Sequence, residues 1–132
     1  MPQLTKGGKW VFGWSIAGSD RQIPIPPDAW QEYEFEIGQQ AIFIRGSQRS
    51  GGFSISTPGR WPAAFGPWES ASRVLGHTRI TDAGKIRVPP EIAIRPGQAL
   101  LVVRGSGNAL GFLIRGPICE KAQQHLELEI FS

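Results

Sequence analysis

The sequence predicts an all-β domain with few short helices, and three observations carry that expectation. The chain of 132 residues holds 17 Gly and 11 Pro, a composition that suits short strands joined by turns better than a helical bundle. Period-two alternation of apolar and polar residues recurs, as in Lys85-Ile86-Arg87-Val88 and Leu126-Glu127-Leu128-Glu129-Ile130-Phe131. The text also repeats. Gln22-Ile23-Pro24-Ile25-Pro26-Pro27-Asp28 is matched by Lys85-Ile86-Arg87-Val88-Pro89-Pro90-Glu91. Each copy runs on through Gly-Gln, Arg-Gly-Ser and Gly-Phe (Gly38, Arg45 and Phe53; Gly97, Arg104 and Phe112). Pro26 and Pro89 lie 63 residues apart, whereas Gly38/Gly97, Arg45/Arg104 and Phe53/Phe112 lie 59 apart, so one four-residue indel after the prolines relates the copies.

The organisation follows from the repeat. Repeat 1 covers about residues 10–56, a Trp/Pro-rich connector 57–76, repeat 2 about 77–115, and a C-terminal helix and strand 116–132. Each repeat has too few apolar positions for a core of its own, so one pseudo-twofold domain over residues 1–132 is expected.

Taken in order, residues 1–9 read as a loose entry around Lys6-Gly7-Gly8-Lys9. Trp10-Val11-Phe12-Gly13-Trp14-Ser15-Ile16 is aromatic and β-branched, which predicts a strand with Trp10, Phe12 and Trp14 on one face. After the turn Ala17-Gly18-Ser19-Asp20, Ile23 and Ile25 are expected inward, with Gln22 and Pro24 outward. Pro24 and Pro26 lack ladder donors and so predict a short or edge strand. Pro26-Pro27-Asp28 opens a short helix with Trp30, Tyr33 and Ile37 on one face. A hairpin over 40–56 turns at 47–52. Over residues 57–68 of the connector, three Pro and two Gly argue against a regular element, and Trp61, Phe65 and Trp68 are expected to pack on the barrel, with a Trp-lined ligand groove as the lesser alternative.

The second copy begins at His77-Thr78-Arg79-Ile80-Thr81, with Ile86 and Val88 inward and Lys85 and Arg87 outward. Leu100-Leu101-Val102-Val103 is apolar on both faces, which predicts a central strand. Ser106-Gly107-Asn108 supplies a hairpin turn. Pro117 suits the first position of a helix running to about His125 with Glu120 in its first turn. Leu126 to Phe131 reads as a closing, half-exposed strand.

The net charge is +3, but residues 20–56 carry −2 and residues 79–115 carry +4. A basic half suits a polyanionic partner, with a plainly solvated face as the alternative. No apolar run approaches the roughly 20 residues of a membrane span, and none of the start resembles a signal peptide, so a cytoplasmic protein is expected. Cys119 has no partner for an intrachain disulfide.

Arg79-Ile80-Thr81-Asp82-Ala83-Gly84-Lys85-Ile86-Arg87-Val88-Pro89-Pro90-Glu91-Ile92 resembles the AbrB/SpoVT (MazE-like) family of DNA-binding domains. That family's signature is a Gly-basic-β-branched strand leading into Pro, an acidic residue, a helical turn, Gly and an amphipathic strand. The likeness covers about residues 78–115 and extends more weakly to 15–56, where Arg21 stands in place of Gly84. It implies a swapped-hairpin or double-psi-like β-barrel built from two internal repeats, here both in one chain. The plant B3-type pseudobarrel is the second fold choice. The resemblance further implies a transcription regulator that holds double-stranded DNA through Lys85 and Arg79, with Arg87, Arg95 and Arg21 completing the candidate set. The family often places a basic pair where this chain has Ala93 and Ile94, with Arg95 next, and Gln22 stands in the first copy where Lys85 stands in the second.

No catalytic constellation is legible, and no cofactor is expected. His77 and His125 lack spaced Cys or His partners for zinc. Cys119 at a helix start could carry a lowered pKa, but a packed thiol is the expected state. The Gly-rich turns lack the Lys-Ser/Thr of a phosphate loop. Asp20 and Asp82 occur at similar points of the copies and read as turn formers. The function expected is therefore a non-enzymatic DNA-binding regulator. The alternative is a protein-interaction module, antitoxin-like or an assembly protein, in which the acidic tail or the connector holds a protein partner or a second copy. A small-ligand-binding barrel comes last.

Overall fold

A computed structural model describes residues 2–4, 8–105 and 108–132. Among them the chain is mostly β. The strands are β1 (Val11–Ile16), β2 (Gln22–Pro24), β3 (Gln40–Arg45), β4 (Phe53–Ser56), β5 (Val74–Arg79), β6 (Lys85–Arg87), β7 (Ala99–Arg104), β8 (Leu110–Leu113) and β9 (Ile130–Phe131). Two short helices, α1 (Pro27–Glu32) and α2 (Pro117–Ala122), each begin with Pro at the first helical position. Seven strands form one mixed sheet in the order β5-β3-β4-β8-β7-β1-β9, and β2 pairs with β6 in a small antiparallel sheet. In the large sheet Phe53 lies opposite Phe112; in the small one Ile23 lies opposite Ile86.

Alternation along the strands sends side chains to two clusters. The main one joins both halves of the chain, with Ile23, Phe43, Ile55, Ile86, Leu100, Val102 and Phe112 all buried. Phe53 stacks on Phe112 with centroids 5.2 Å apart. On the opposite face, Val11, Leu101 and Val103 pack beneath α2 with Cys119 and Ala122. Leu100 to Val103 thus feed both clusters from a strand flanked by β8 and β1, as their two-sided apolarity predicts.

Several local expectations are corrected. Trp10, Phe12 and Trp14 do not share a face, because a bulge shifts the register between Val11 and Gly13. Phe12 joins the main cluster, Trp14 packs on the other, and Trp10 is exposed. A matching shift falls between Phe43 and Ile44 where β3 meets β5. Gln22 is buried rather than outward, and its amide donates to Asp82 Oδ2 at 3.0 Å. α1 ends at Glu32, so Ile37 lies beyond it and is exposed. α2 stops at Ala122, short of His125.

The tail is a strand only at Ile130–Phe131, which pairs in parallel with Trp14 and Ser15; Leu128 is buried while Leu126 and Ile130 are exposed. β5 starts at Val74, inside the stretch expected to be connector. At the start of the chain Leu4 is buried and Val11 donates to the Pro2 carbonyl, so the entry is packed where it is described. Thr5 to Gly7 of the expected loose entry, and Ser106-Gly107 of the expected hairpin turn, lie outside the described residues.

Candidate functional site

The candidate surface is built on β5 and β6. β6 follows Gly84, whose φ of 78° turns the chain tightly out of the Asp82-Ala83 corner. Its three residues alternate as the sequence predicts: Ile86 enters the main core, and Lys85 and Arg87 are exposed. Val88, next along, is also buried. β5 is joined to β6 by the Thr78 hydroxyl, which donates to the Arg87 carbonyl at 2.7 Å. Arg79 closes β5 with an exposed side chain whose guanidinium donates to the Gly38 carbonyl at 2.9 Å. Arg87 donates to the Asp20 carbonyl at 2.8 Å. These contacts orient both guanidinium groups and leave most of their donors toward solvent.

Among the described residues, Arg60 pairs with Glu34 at 3.0 Å, and Arg104 makes a two-pronged bond to Glu32 at 2.8 and 2.6 Å. Arg79, Lys85, Arg87 and Arg95 form no such pair with a carboxylate among the described residues. Asp82, close in the chain to Arg79 and Lys85, accepts the Gln22 amide. The side chains of Arg79, Lys85 and Arg87 are thus exposed and make no direct ion pair among the described residues.

The other two sequence candidates sit elsewhere. Arg21 takes a left-handed conformation (φ 65°), and its guanidinium clasps the Val88, Pro89 and Ile92 carbonyls of the Pro-Pro turn. It fastens repeat 1 to repeat 2 rather than joining Lys85 and Arg87 at the surface. Arg95 belongs to the loop before β7, which is held to Ala17 by the Gly97 amide, and its side chain is exposed.

The connector consists of three 3-10 turns, Pro58–Arg60, Ala63–Phe65 and Trp68–Ser70. Trp61 and Trp68 are half-buried and Phe65 is exposed, so the expected packing on the sheet is met in part, by Trp68 against His77 of β5, and none of the three is fully buried. Trp61 meets Phe65 edge-on at 5.8 Å, and its indole N–H donates to the Gly66 carbonyl at 2.8 Å. Trp68 meets His77 edge-on at 5.1 Å.

Burial of Cys119 pushes its thiol above the usual range, and Glu120 adds to this, so the thiol is packed and protonated. Burial, with Glu32 beside it, likewise raises Tyr33. Among the described residues no group of three or more His, Cys, Asp or Glu is placed to hold a metal ion, and no helix is long and apolar enough to cross a membrane.

The sequence reading missed a further set of cations: Lys9, Arg45, Arg49, Arg73 and Arg115. Their signal was hidden because Arg45 and Arg49 fall in the net-acidic half, whose carboxylates point elsewhere in the fold. Comparison with protein-family models, with curated proteins and with solved structures gives no match.

Proposed function

We propose that the chain is a non-enzymatic, duplex-DNA-binding regulator of the AbrB-like type, built on a closed β-barrel with pseudo-twofold symmetry. The observation that carries this reading is the exposed cation set Arg79, Lys85 and Arg87 on two joined strands, which makes no direct ion pair among the described residues. DNA affinity depends chiefly on cations that can replace phosphate counterions, which internally paired arginines cannot do.

The barrel reading is supported by pairs of residues that the repeat relates to each other. Phe53 faces Phe112 and Ile23 faces Ile86, as a twofold axis through both sheets requires. The loop bonds recur at the same offsets: Gly38 N–H to Ile80 O with Gly97 N–H to Ala17 O, and Ile25 N–H to Gly84 O with Val88 N–H to Arg21 O. The basic set is one-sided, since Ile16, Gln22 and Pro24 stand at the related positions of the first copy. This favours an asymmetric phosphate contact over reading of a palindrome by two equal halves. Arg21 acts in this proposal as a positioning residue.

Titration of a labelled duplex at rising salt tests the reading. Binding should weaken steeply with salt. Lys85→Ala with Arg87→Ala should lower affinity for every duplex and flatten the salt slope by about one to two units, with stability changed by no more than about 0.5 kcal/mol. Duplex binding that is absent at low salt, or unchanged in the double variant, overturns it. The interaction-module reading would then gain from Leu126 and Ile130, which are 93% and 68% exposed in an acidic tail.

A further inference from the structure

The face of the large sheet away from the main core is covered at one end by α2 and flanked at the other by the connector. Between them runs a trough made of three adjoining recesses. The first, about 270 Å³, is lined by Trp61, Phe65, Arg45 and Arg73. The second, about 500 Å³, shares Arg45 and Arg73 with the first and adds Lys9, Ser47 and Ser50. The third, about 380 Å³, shares Lys9, Ser47 and Ser50 with the second and adds Arg49 and Arg115. Shared residues make the three one continuous track.

Among the described residues five cations line this track, and no Asp or Glu does. Arg45, Arg49 and Arg73 are exposed, and their side chains have no hydrogen-bond or ion-pair partner among the described residues. The contrast with Arg104, related to Arg45 by the repeat, is direct, since Arg104 is held by Glu32 at both prongs. Arg115 is fixed by one bond to the Gln48 carbonyl at 2.8 Å. The floor mixes small and apolar side chains: Ser54 lies opposite Gly111 where β4 meets β8, and Ile44, Val103 and Leu113 also line the track. At the connector end Trp61 is held by its indole bond to Gly66, and Phe65 is 60% exposed.

We infer that this trough binds single-stranded nucleic acid, with the phosphates on Arg45, Arg73, Lys9 and Arg49 and a base against Trp61 and Phe65. A row of cations along a narrow track suits a chain of phosphates, whereas a single small anion needs one or two. Exposed Phe65 and half-buried Trp61 at one end add a sequence-tolerant platform for a base, which a paired duplex cannot present. The inference does not rest on the duplex reading, because it uses different residues on a different part of the fold.

The test is fluorescence anisotropy of the intact chain with labelled oligothymidylate and oligouridylate of about twelve nucleotides, with unlabelled duplex and inorganic polyphosphate as competitors. Either oligonucleotide binding supports the inference, and the tighter one distinguishes DNA from RNA as the source. Arg45→Ala with Arg73→Ala should weaken binding at least tenfold and flatten the salt slope by about 1.4, at about 0.7 per phosphate contact. Trp61→Ala should weaken it by about tenfold with the slope unchanged, and Trp61→Phe should restore most of the loss. Lys85→Ala with Arg87→Ala should leave single-strand binding as it was. Unchanged thermal midpoints show that each variant is folded, since the substituted side chains are not buried. No single-strand binding at low salt, binding indifferent to Arg45 and Arg73, or polyphosphate competing as well as the oligonucleotide with Trp61→Ala harmless, would each overturn it.

Discussion

Arg21 shows how one side chain can do structural work that its charge disguises. Its guanidinium satisfies three carbonyls of a turn whose prolines cannot donate, and its backbone sits at φ 65°. Arg21→Ala should destabilise the fold by about 1–3 kcal/mol in urea titration, because partly buried acceptors lose their donor. Arg21→Gly should cost less than Arg21→Ala, since glycine adopts this backbone without strain. An unchanged urea midpoint would show that water replaces the clasp. Tyr33 and Cys119 make a second residue-scale case. Both acids are raised by burial, so the folded state keeps protons that the unfolded chain releases. Stability is then fully present below the ordinary values and falls as pH rises above about 8.5 for the thiol and about 10 for the phenol. Thermal midpoints measured from neutral to alkaline pH should decline, and Tyr33→Phe with Cys119→Ala should flatten the decline.

Strands here are set by bulges as much as by alternation. Gly13 sits at the β1 bulge with φ 143°, and a side chain there would press within 2.5 Å of the Glu129 carbonyl, just before β9. Gly13→Ala should therefore loosen β9 from β1 while the main core holds. Hydrogen exchange should report this as faster exchange of the Trp14 amide, which donates to Glu129. Gly84→Ala has open space about its β-carbon and carries only the backbone penalty of φ 78°, so its effect should stay local to the turn into β6. Equal exchange at Trp14 in Gly13→Ala and the parent would show that β9 accommodates the methyl group.

Across the whole molecule, the buried residues of both halves share one cluster, and Ile23 and Ile86 meet in the small sheet. Cleavage of the exposed connector between Thr57 and Arg73 should consequently leave the two fragments associated, and they should separate only in denaturant. Two folded fragments eluting apart would contradict the shared core. Ile86→Ala should cost about 2–5 kcal/mol by opening a cavity at the centre of that cluster. It lies between Lys85 and Arg87, whose exposed side chains carry no such cost. Stability and binding should therefore separate along three consecutive residues.

The sequence by itself determined the β class, the inward set Ile23, Ile25, Ile86 and Val88, the central strand at Leu100 to Val103, and the outward direction of Lys85 and Arg87. These follow from local periodicity and from backbone limits on Pro and Gly, which need no knowledge of distant residues. The tertiary structure alone decided the rest. A one-residue bulge reversed the faces of Trp10 to Trp14, because each inserted residue flips the alternation beyond it. Arg21 was drawn from the basic set into the Pro89 turn 68 residues away, and Gln22 was buried against Asp82. The trough of Lys9, Arg45, Arg49, Arg73 and Arg115 gathers residues from the start of the chain, both repeats and the connector. Charge summed along the chain could not reveal it, because an electrostatic surface depends on which charges the fold places side by side, and which carboxylates it turns away.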